Sequence, residues 1–149
     1  MANTGKWNTP GTLTTLLSSG LNSLGNATMS AASSTYANNT NLDLYCDIEV
    51  VLASLSPATG AYVAIYIWEA VDGSTFPAQS DADLRLTSSQ LFVVIPVGTT
   101  ASTAQRVVAR NLLLPPAAIQ FKLDNQTGVA LNASGNTVKI LPYSYNLNA

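Results

Sequence analysis

Three carboxylates that could act as a general acid and a general base lie close together in one segment of the chain. Asp43, Asp47 and Glu49 fall on the polar side of an alternating apolar and polar pattern, so they would share one face of a strand. Hydrolysis by paired carboxylates is the chemistry that such a set could support. Outward carboxylates at a period of two are also the ordinary composition of a solvated strand face. We therefore expect no catalytic residues and no enzymatic activity.

Histidine is absent from the chain, which strengthens that expectation. The commonest general base, the Ser-His-Asp and Cys-His pairs and most zinc or iron sites all require it. Asp72, Asp81 and Asp83 share one loop and could offer oxygen ligands to calcium, but their spacing matches no EF-hand loop. The single cysteine, Cys46, lies on an apolar strand face without an accompanying base, so we expect a buried, inert thiol. No metal and no cofactor are expected.

An aromatic row is the most informative group in the middle of the chain. Tyr62, Tyr66 and Trp68 alternate along Ala61–Val71, a run that is apolar on both faces. Such a row could stack on sugar rings, anchor a protein interface or simply form the second half of the core. The sequence leaves these three interpretations open and favours the core.

The leading segment has a different composition from the rest. Residues 1–41 are almost uncharged and rich in Gly, Ser, Thr and Asn, with too few apolar groups to pack alone. We interpret them as an extended arm leading into a first strand around Leu21–Ser30. Trp7 has no local core, so the arm is expected to lie against another subunit. The candidate contact residues are Trp7, Leu13, Leu16 and Leu17.

From Leu42 onward the pattern predicts strands. Leu44, Cys46, Ile48, Val50 and Leu52 form one row at a period of two. Turn residues separate Ala61–Val71 from six further strand-like runs, at Leu84–Thr87, Leu91–Val97, Arg106–Leu114, Ile119–Asp124, Val129–Asn132 and Thr137–Leu141.

This pattern predicts an all-β fold, an antiparallel β-sandwich of the jelly-roll kind with about eight strands and an extended N-terminal arm. One domain is expected overall, with residues 1–41 as arm and first strand and residues 42–149 as the body.

Asparagines crowd the stretch "FKLDNQTGVALNASGNTVKI", where Asn125 and Asn132 each begin an Asn-x-Ser/Thr pattern. The same pattern occurs at Asn26 and Asn38. Asn and Gly tolerate the backbone angles of tight turns, so turn formation is sufficient to explain "DNQTG" and "NASGN". We expect no modification at these positions.

Charged residues make up only 9% of the chain, well below the usual quarter, and the net charge is −2. The cations are scattered, so no nucleic-acid partner is expected. No run approaches the roughly 20 apolar residues of a membrane span, so no membrane partner is expected either. The leading residues lack the apolar core of a signal peptide. A surface so poor in charge is suited to close packing against neighbours.

From about Leu21 to the C-terminus the chain resembles the jelly-roll decoration, or cement, proteins of tailed bacteriophage capsids. The resemblance is carried by Val71–Gly73, by the turn Leu114-Pro115-Pro116, and by Asn125 to Gly128 together with Ser134-Gly135-Asn136. None of these is a catalytic signature; they are turn and strand-edge features.

The resemblance implies a structural virion protein that is synthesised in the host cytoplasm and binds the outer surface of the capsid. There it would stabilise contacts between subunits of the major capsid protein, often as a homotrimer. The alternative is a head or tail module that binds carbohydrate or the host surface through the aromatic strand face.

Overall fold

The computed structural model describes residues 4–77 and 90–148 of the 149-residue chain. The predicted strand Leu84–Thr87 and the residues Asp81 and Asp83 lie outside these ranges. Within them the strands are β1 (Thr4–Trp7), β2 (Thr14–Leu17), β3 (Thr28–Met29), β4 (Tyr36–Ala37), β5 (Tyr45–Leu55), β6 (Tyr62–Ala70), β7 (Gln90–Pro96), β8 (Thr103–Leu113), β9 (Ala118–Gln126), β10 (Thr137–Tyr143) and β11 (Tyr145–Asn148). The described helical segments are a 3-10 turn at Ser19–Leu21 and α1 at Asn38–Asn41.

Two antiparallel sheets form a sandwich, as the sequence predicts. One has the order β2-β10-β5-β8; the other has the order β3-β9-β6-β7, with β4 also pairing with β9. Strands at the same rank in the two orders are neighbours along the chain: β2 and β3, β10 and β9, β5 and β6, β8 and β7. A folded ribbon of antiparallel strands rolled into two sheets produces this connectivity, which is that of a jelly roll.

Alternating apolar residues fill the space between the sheets. Cys46, Ile48, Val50 and Leu52 of β5 are fully buried, as their spacing predicts. They share the core with alternate residues of the opposite sheet, among them Val63, Ile65 and Ile67 of β6 and Phe121 and Leu123 of β9. Each fully buried side chain of this size contributes about 1.5–3 kcal/mol to folding.

The leading segment packs more closely on the body than the sequence suggests. The first sandwich strand is β2, at Thr14–Leu17, and the predicted strand Leu21–Ser30 is instead a turn and loop that ends in the short β3. Leu16 and Leu17 lie in the core, together with Leu21. The burial of Leu16 and Leu17 corrects the expectation that these two residues contact another molecule. Local periodicity does not reveal this burial, because the partner strand of β2 is β10, more than a hundred residues further along the chain.

Two serines bond the part of β9 that lies between its pairings with β3 and with β4. The Ser33 hydroxyl accepts the Phe121 N–H at 2.9 Å, and the Ser30 hydroxyl accepts the Leu123 N–H at 3.0 Å. A polar segment of the predicted arm therefore covers a strand edge. One further strand prediction is wrong: Val129–Asn132 is a loop, although Leu131 enters the core.

The two ends of the described chain meet. β1 and β11 form an antiparallel ribbon in which Thr4 pairs with Asn148 and Trp7 pairs with Tyr145. The following residues run along β10, where the Asn8 N–H donates to the Ser144 carbonyl and the Gly11 N–H to the Pro142 carbonyl. A Cβ at Gly11 would lie 2.9 Å from Pro142 Cγ, so only glycine allows this close approach.

Candidate functional site

The outer face of the four-stranded sheet gathers the chemically distinctive side chains. Strand register places Tyr143, Tyr45 and Leu113 in one row across β10, β5 and β8. The next row holds Leu141 and Asp47, with Arg110 and Asn111 opposite Asp47, and the row after it holds Lys139, Glu49 and Val108. An aromatic row therefore borders rows of charged residues on one surface.

Trp7 lies over the aromatic row. Its ring centroid is 5.7, 5.4 and 5.3 Å from those of Tyr45, Tyr143 and Tyr145, each in an edge-to-face arrangement. Tyr45 and Tyr143 stack on each other at 6.0 Å. We call these four residues the aromatic cluster. Edge-to-face pairs contribute about 0.5–1.5 kcal/mol each, so the cluster fixes the Trp7 ring while leaving 56% of the residue exposed.

A β-bulge fixes the polar groups beside the cluster. Two residues of β8 lie opposite Asp47, and the second of them, Asn111, has a φ of +57°, a left-handed conformation that Asn tolerates. The Asn111 N–H is shared between Asp47 Oδ1 at 3.0 Å and the Tyr143 hydroxyl at 3.1 Å. The Tyr143 hydroxyl donates to Asp47 Oδ1 at 2.8 Å. Burial and the bond to Asp47 raise the pKa of Tyr143 to about 12.

Each of the other two carboxylates predicted for this strand face has its own partners. Glu49 Oε2 accepts from Arg106 Nε at 2.7 Å, and Lys139 Nζ lies 3.7 Å from Glu49 Oε1. The Asp43 carboxylate accepts from the Tyr36 hydroxyl at 2.5 Å. Burial and that bond raise the pKa of Tyr36. The side chains of Asp43, Asp47 and Glu49 thus serve three separate local networks.

Two adjoining cavities form a groove beside the aromatic cluster. The larger, about 370 Å³, is lined by Trp7, Asn8, Pro10, Asp47, Arg110, Asn111, Leu141 and Tyr143. The smaller, about 200 Å³, is lined by Leu13, Asp47, Glu49, Arg106, Val108, Arg110 and Leu141. Asp47, Arg110 and Leu141 line both. The groove therefore runs from Trp7 to Leu13 along β5 and β8.

The predicted aromatic strand face is not an exposed platform. Trp68 is fully buried, while Tyr66 is half-buried and Tyr62 is exposed. The Lys122 ammonium lies 4.9 Å from the centroid of the Trp68 ring, a cation–π contact made beneath the surface. Within the described residues, Trp68 Nε1 is a buried donor without an acceptor. These positions favour the interpretation of Trp68 as a packed residue.

The remaining candidates for chemistry have structural roles. Asp72 Oδ1 accepts the N–H groups of Thr75 and Ser74, and these bonds lower the pKa of Asp72 to about 2. Burial raises the pKa of the Cys46 thiol to about 12. Residues 4–77 and 90–148 hold no group of three or more His, Cys, Asp or Glu side chains arranged to bind a metal. In the same ranges, no helix has the length and apolar content needed to cross a bilayer.

All four Asn-x-Ser/Thr asparagines bond within the fold. Asn125 is fully buried; its Nδ2 donates to the carbonyls of Leu24, Gly25 and Val129, and its Oδ1 accepts from Thr127. Asn26 Oδ1 accepts the Gly128 N–H, Asn38 bonds Asp43 and Pro115, and Asn132 bonds Ala133 and Ser54. A Cβ at Gly128, whose φ is +85°, would lie 2.4 Å from that of Ala58. Turn and loop structure accounts for these residues.

Exposed apolar residues concentrate at one end of the sandwich, which we call the apolar end. Tyr45 pairs with both Leu113 and Tyr143 there, and the Leu114 N–H donates to the Leu44 carbonyl. Asn38 Nδ2 donates to the Asp43 and Pro115 carbonyls, which ties the ends of the two sheets together. The exposed apolar members are Trp7, Leu42, Leu44, Val71, Leu113 and Tyr145.

The opposite end is polar and uncharged. Its loops, 18–27, 56–61, 97–102 and 127–136, contain no Asp, Glu, Lys or Arg. They bond to one another: the Ala58 N–H donates to the Thr127 carbonyl, and the Ser102 N–H donates to the Ser56 hydroxyl. The molecule is therefore asymmetric along its strands, with an apolar end and a neutral polar end.

The sequence singles out Trp7 and Leu13 as contact residues of an arm and Asp47 and Glu49 as part of a solvated strand face, and the structure brings the four together around one groove. Sequence reasoning missed Tyr45, Tyr143 and Tyr145 as partners of Trp7. The signal available was the alternation of Tyr143 and Tyr145 close to the C-terminus, which predicts aromatic side chains on one strand face. Nothing in the sequence points to Arg110 and Asn111, because the alternation of apolar and polar residues does not reveal a β-bulge.

No protein-family model, no curated protein and no solved structure matches this chain.

Proposed function

We propose that the protein is a non-enzymatic structural protein that binds the outer surface of a phage capsid through its apolar end and stabilises contacts between major capsid subunits. The observation that carries the proposal is the concentration of exposed apolar residues at that end. Leu113 is 66% exposed and Val71 is 96% exposed. Exposed apolar residues grouped in this way are typical of a protein interface.

The composition of the apolar end favours a protein partner. Trp and Tyr are among the residues most enriched in the central, energetically dominant parts of interfaces, and the apolar end exposes Trp7 and Tyr145. Leu42, Leu44 and Leu113 add aliphatic area, which a protein surface can cover. Leu42 is exposed and has a φ of +54°, a strained conformation for a bulky residue, which is more common at functional positions than elsewhere.

The resemblance to capsid decoration proteins indicates which kind of protein the apolar end would bind. The jelly-roll connectivity is the one that capsid decoration proteins are expected to have, and Val71–Gly73, part of the resemblance, lies at the apolar end. The neutral polar end would then face water. Many copies on one shell would gain stability through multivalency from contacts that are individually weak. The homotrimer and the virion location remain predictions.

The carbohydrate alternative through Tyr62, Tyr66 and Trp68 has less support, because Trp68 is fully buried and cannot stack on a sugar.

Cosedimentation with capsids that lack the protein tests the proposal. Leu113→Gln and Val71→Ser remove exposed apolar area from the apolar end and leave the core unchanged. We expect each to weaken capsid binding by about tenfold. The matched control is Val94→Thr, which alters an exposed apolar residue in the middle of β7 and should bind as the unaltered protein does. Undiminished binding of the double variant Leu113→Gln/Val71→Ser would refute the proposal.

A further inference from the structure

We propose that the groove between Trp7 and Leu13 binds a neutral pyranose saccharide. The groove lies on the outer face of the four-stranded sheet and extends from Trp7 towards Val108, away from Leu113. Its two cavities, about 370 and 200 Å³, adjoin each other and share the lining residues Asp47, Arg110 and Leu141. Together they fall within the range of small-molecule sites, roughly 300–1,000 Å³. Trp7 belongs both to the apolar end and to this groove, so the polar lining residues, Arg110 above all, distinguish saccharide binding from docking.

Unused hydrogen-bonding groups line the larger cavity. Both bonds accepted by Asp47 fall on Oδ1, which leaves Oδ2 available as an acceptor. The Arg110 guanidinium and the Asn8 side-chain amide bond to no residue in the described ranges. The Asn111 side-chain amide contacts the Tyr143 hydroxyl at 2.9 Å and lines the same cavity. One acceptor and several donors therefore surround the same space.

Charge selects the class of ligand. Asp47 and Arg110 carry opposite charges and line both cavities, but they do not form an ion pair. An anionic ligand would meet the Asp47 carboxylate, and a cationic ligand would meet the Arg110 guanidinium. Hydroxyl groups both donate and accept, so a neutral polyol satisfies the two residues at once. The groove is therefore suited to vicinal hydroxyls rather than to a charged group.

The Trp7 ring supplies the apolar part of the site. One face of a pyranose presents C–H groups, and an exposed aromatic ring can cover that face while the polar side chains bond the hydroxyls. Trp7 is already held by three tyrosine rings, and Asn111 is held by Asp47 and Tyr143. Little conformational freedom would be lost on binding, because both groups are fixed in advance.

A screen of neutral, acidic and amino saccharides with the full chain, followed by titration monitored by two-dimensional NMR, tests the inference. Saccharide concentrations up to roughly 10 mM would occupy even a site with a millimolar Kd. We expect neutral pyranosides to shift the Trp7 indole and the Asn111 backbone signals. Arg110→Ala should weaken binding by about tenfold or more, with folding unchanged because Arg110 bonds to no described residue. The matched control is Lys6→Ala, an exposed cation that lines neither cavity.

Several outcomes would overturn the inference. These are no shift at Trp7 with any neutral saccharide, full binding by Arg110→Ala, or preferential binding of an acidic saccharide or of an extended peptide. Cosedimentation of Arg110→Ala with capsids separates this result from the proposed function. Capsid binding retained while saccharide binding is lost supports both roles. If the unaltered protein binds capsids but no saccharide, only the saccharide site is refuted. If it binds a saccharide but no capsids, only docking through the apolar end is refuted.

Discussion

The Tyr143 hydroxyl and the Asp47 carboxylate are joined by a 2.8 Å hydrogen bond between neighbouring strands of the four-stranded sheet. The same two groups share the N–H of Asn111, the residue that occupies the left-handed position of the bulge. This small network connects the aromatic cluster to the groove. It holds Tyr143, on which the Trp7 ring packs, against the bulge that follows Arg110.

Replacing Tyr143 by Phe should destabilise the fold by about 1–2 kcal/mol, since Asp47 and Asn111 would both lose a partner. Urea unfolding followed by tryptophan fluorescence measures the change. Tyr45→Phe is the matched control: it removes a hydroxyl from the same cluster, but that hydroxyl bonds to no described residue, so its effect should stay within about 0.5 kcal/mol. Equal effects of the two changes would contradict the role assigned to the network.

The contribution of Tyr143 should depend on pH in the alkaline range. Its pKa rises from 10.0 to about 12 on folding, so the folded state favours the protonated hydroxyl. The stabilisation is then fully present below pH 10 and is lost as the pH approaches 12. Unfolding free energies of the unaltered protein and of Tyr143→Phe, measured from about pH 8 to about pH 11, should converge. A constant difference would show that the hydroxyl does not titrate in this way.

The Cys46 thiol should be unreactive in the folded protein. Burial raises its pKa from 9.0 to about 12, so almost no thiolate exists near neutral pH. Iodoacetamide at about pH 8 should alkylate the protein at the rate of global unfolding, and much faster in concentrated urea. Intact-mass spectrometry follows the reaction. Rapid alkylation without denaturant would place Cys46 in an accessible position and contradict the packing of β5.

Exchanging Asn for Asp should distinguish the buried from the exposed Asn-x-Ser/Thr sites. Asn125→Asp places a carboxylate against the carbonyls of Leu24, Gly25 and Val129, which now receive N–H donors. We expect a loss of at least about 3 kcal/mol. Asn132→Asp, an identical change at an exposed turn, should cost less than about 1 kcal/mol. Thermal unfolding checks both, and a mild effect at Asn125 would contradict its buried network.

Truncations should locate where the leading segment becomes part of the body. Deleting residues 1–10 removes β1 and Trp7 but keeps β2, so we expect a folded domain. Deleting residues 1–20 also removes Leu16 and Leu17 from the core and leaves β10 without an edge partner. That loss should exceed about 4 kcal/mol. Circular dichroism during thermal unfolding compares the two, and equal stability would contradict the assignment of β2 to the sandwich.

The body of the fold was predictable because its signals are local. The alternation through Cys46, Ile48, Val50 and Leu52 identifies a half-buried strand without knowledge of its neighbours, and Gly135 with its positive φ is where the turn residues predict it. The sheet order was not predictable to the same extent. It depends on pairings such as β2 with β10, which sequence periodicity does not reveal.

The site was predictable only in part, for a related reason. Trp7 and Asp47 stand out as single residues, but their proximity depends on the pairing of β1 with β11 and of β10 with β5. Trp68 illustrates the opposite case. Trp68 does alternate with Tyr66, but the residue pattern of one strand does not show whether other residues cover the outer face of that strand.

The antiparallel ribbon of β1 and β11 has a practical consequence for handling the protein. Because Thr4 lies opposite Asn148, a tag or fluorescent domain fused at either terminus would leave the molecule from the same place, beside Trp7. It would obstruct the groove beside Trp7 whichever end were chosen. An insertion at Ser134-Gly135, in an uncharged loop at the far end, keeps a label away from that surface and is the better choice for imaging.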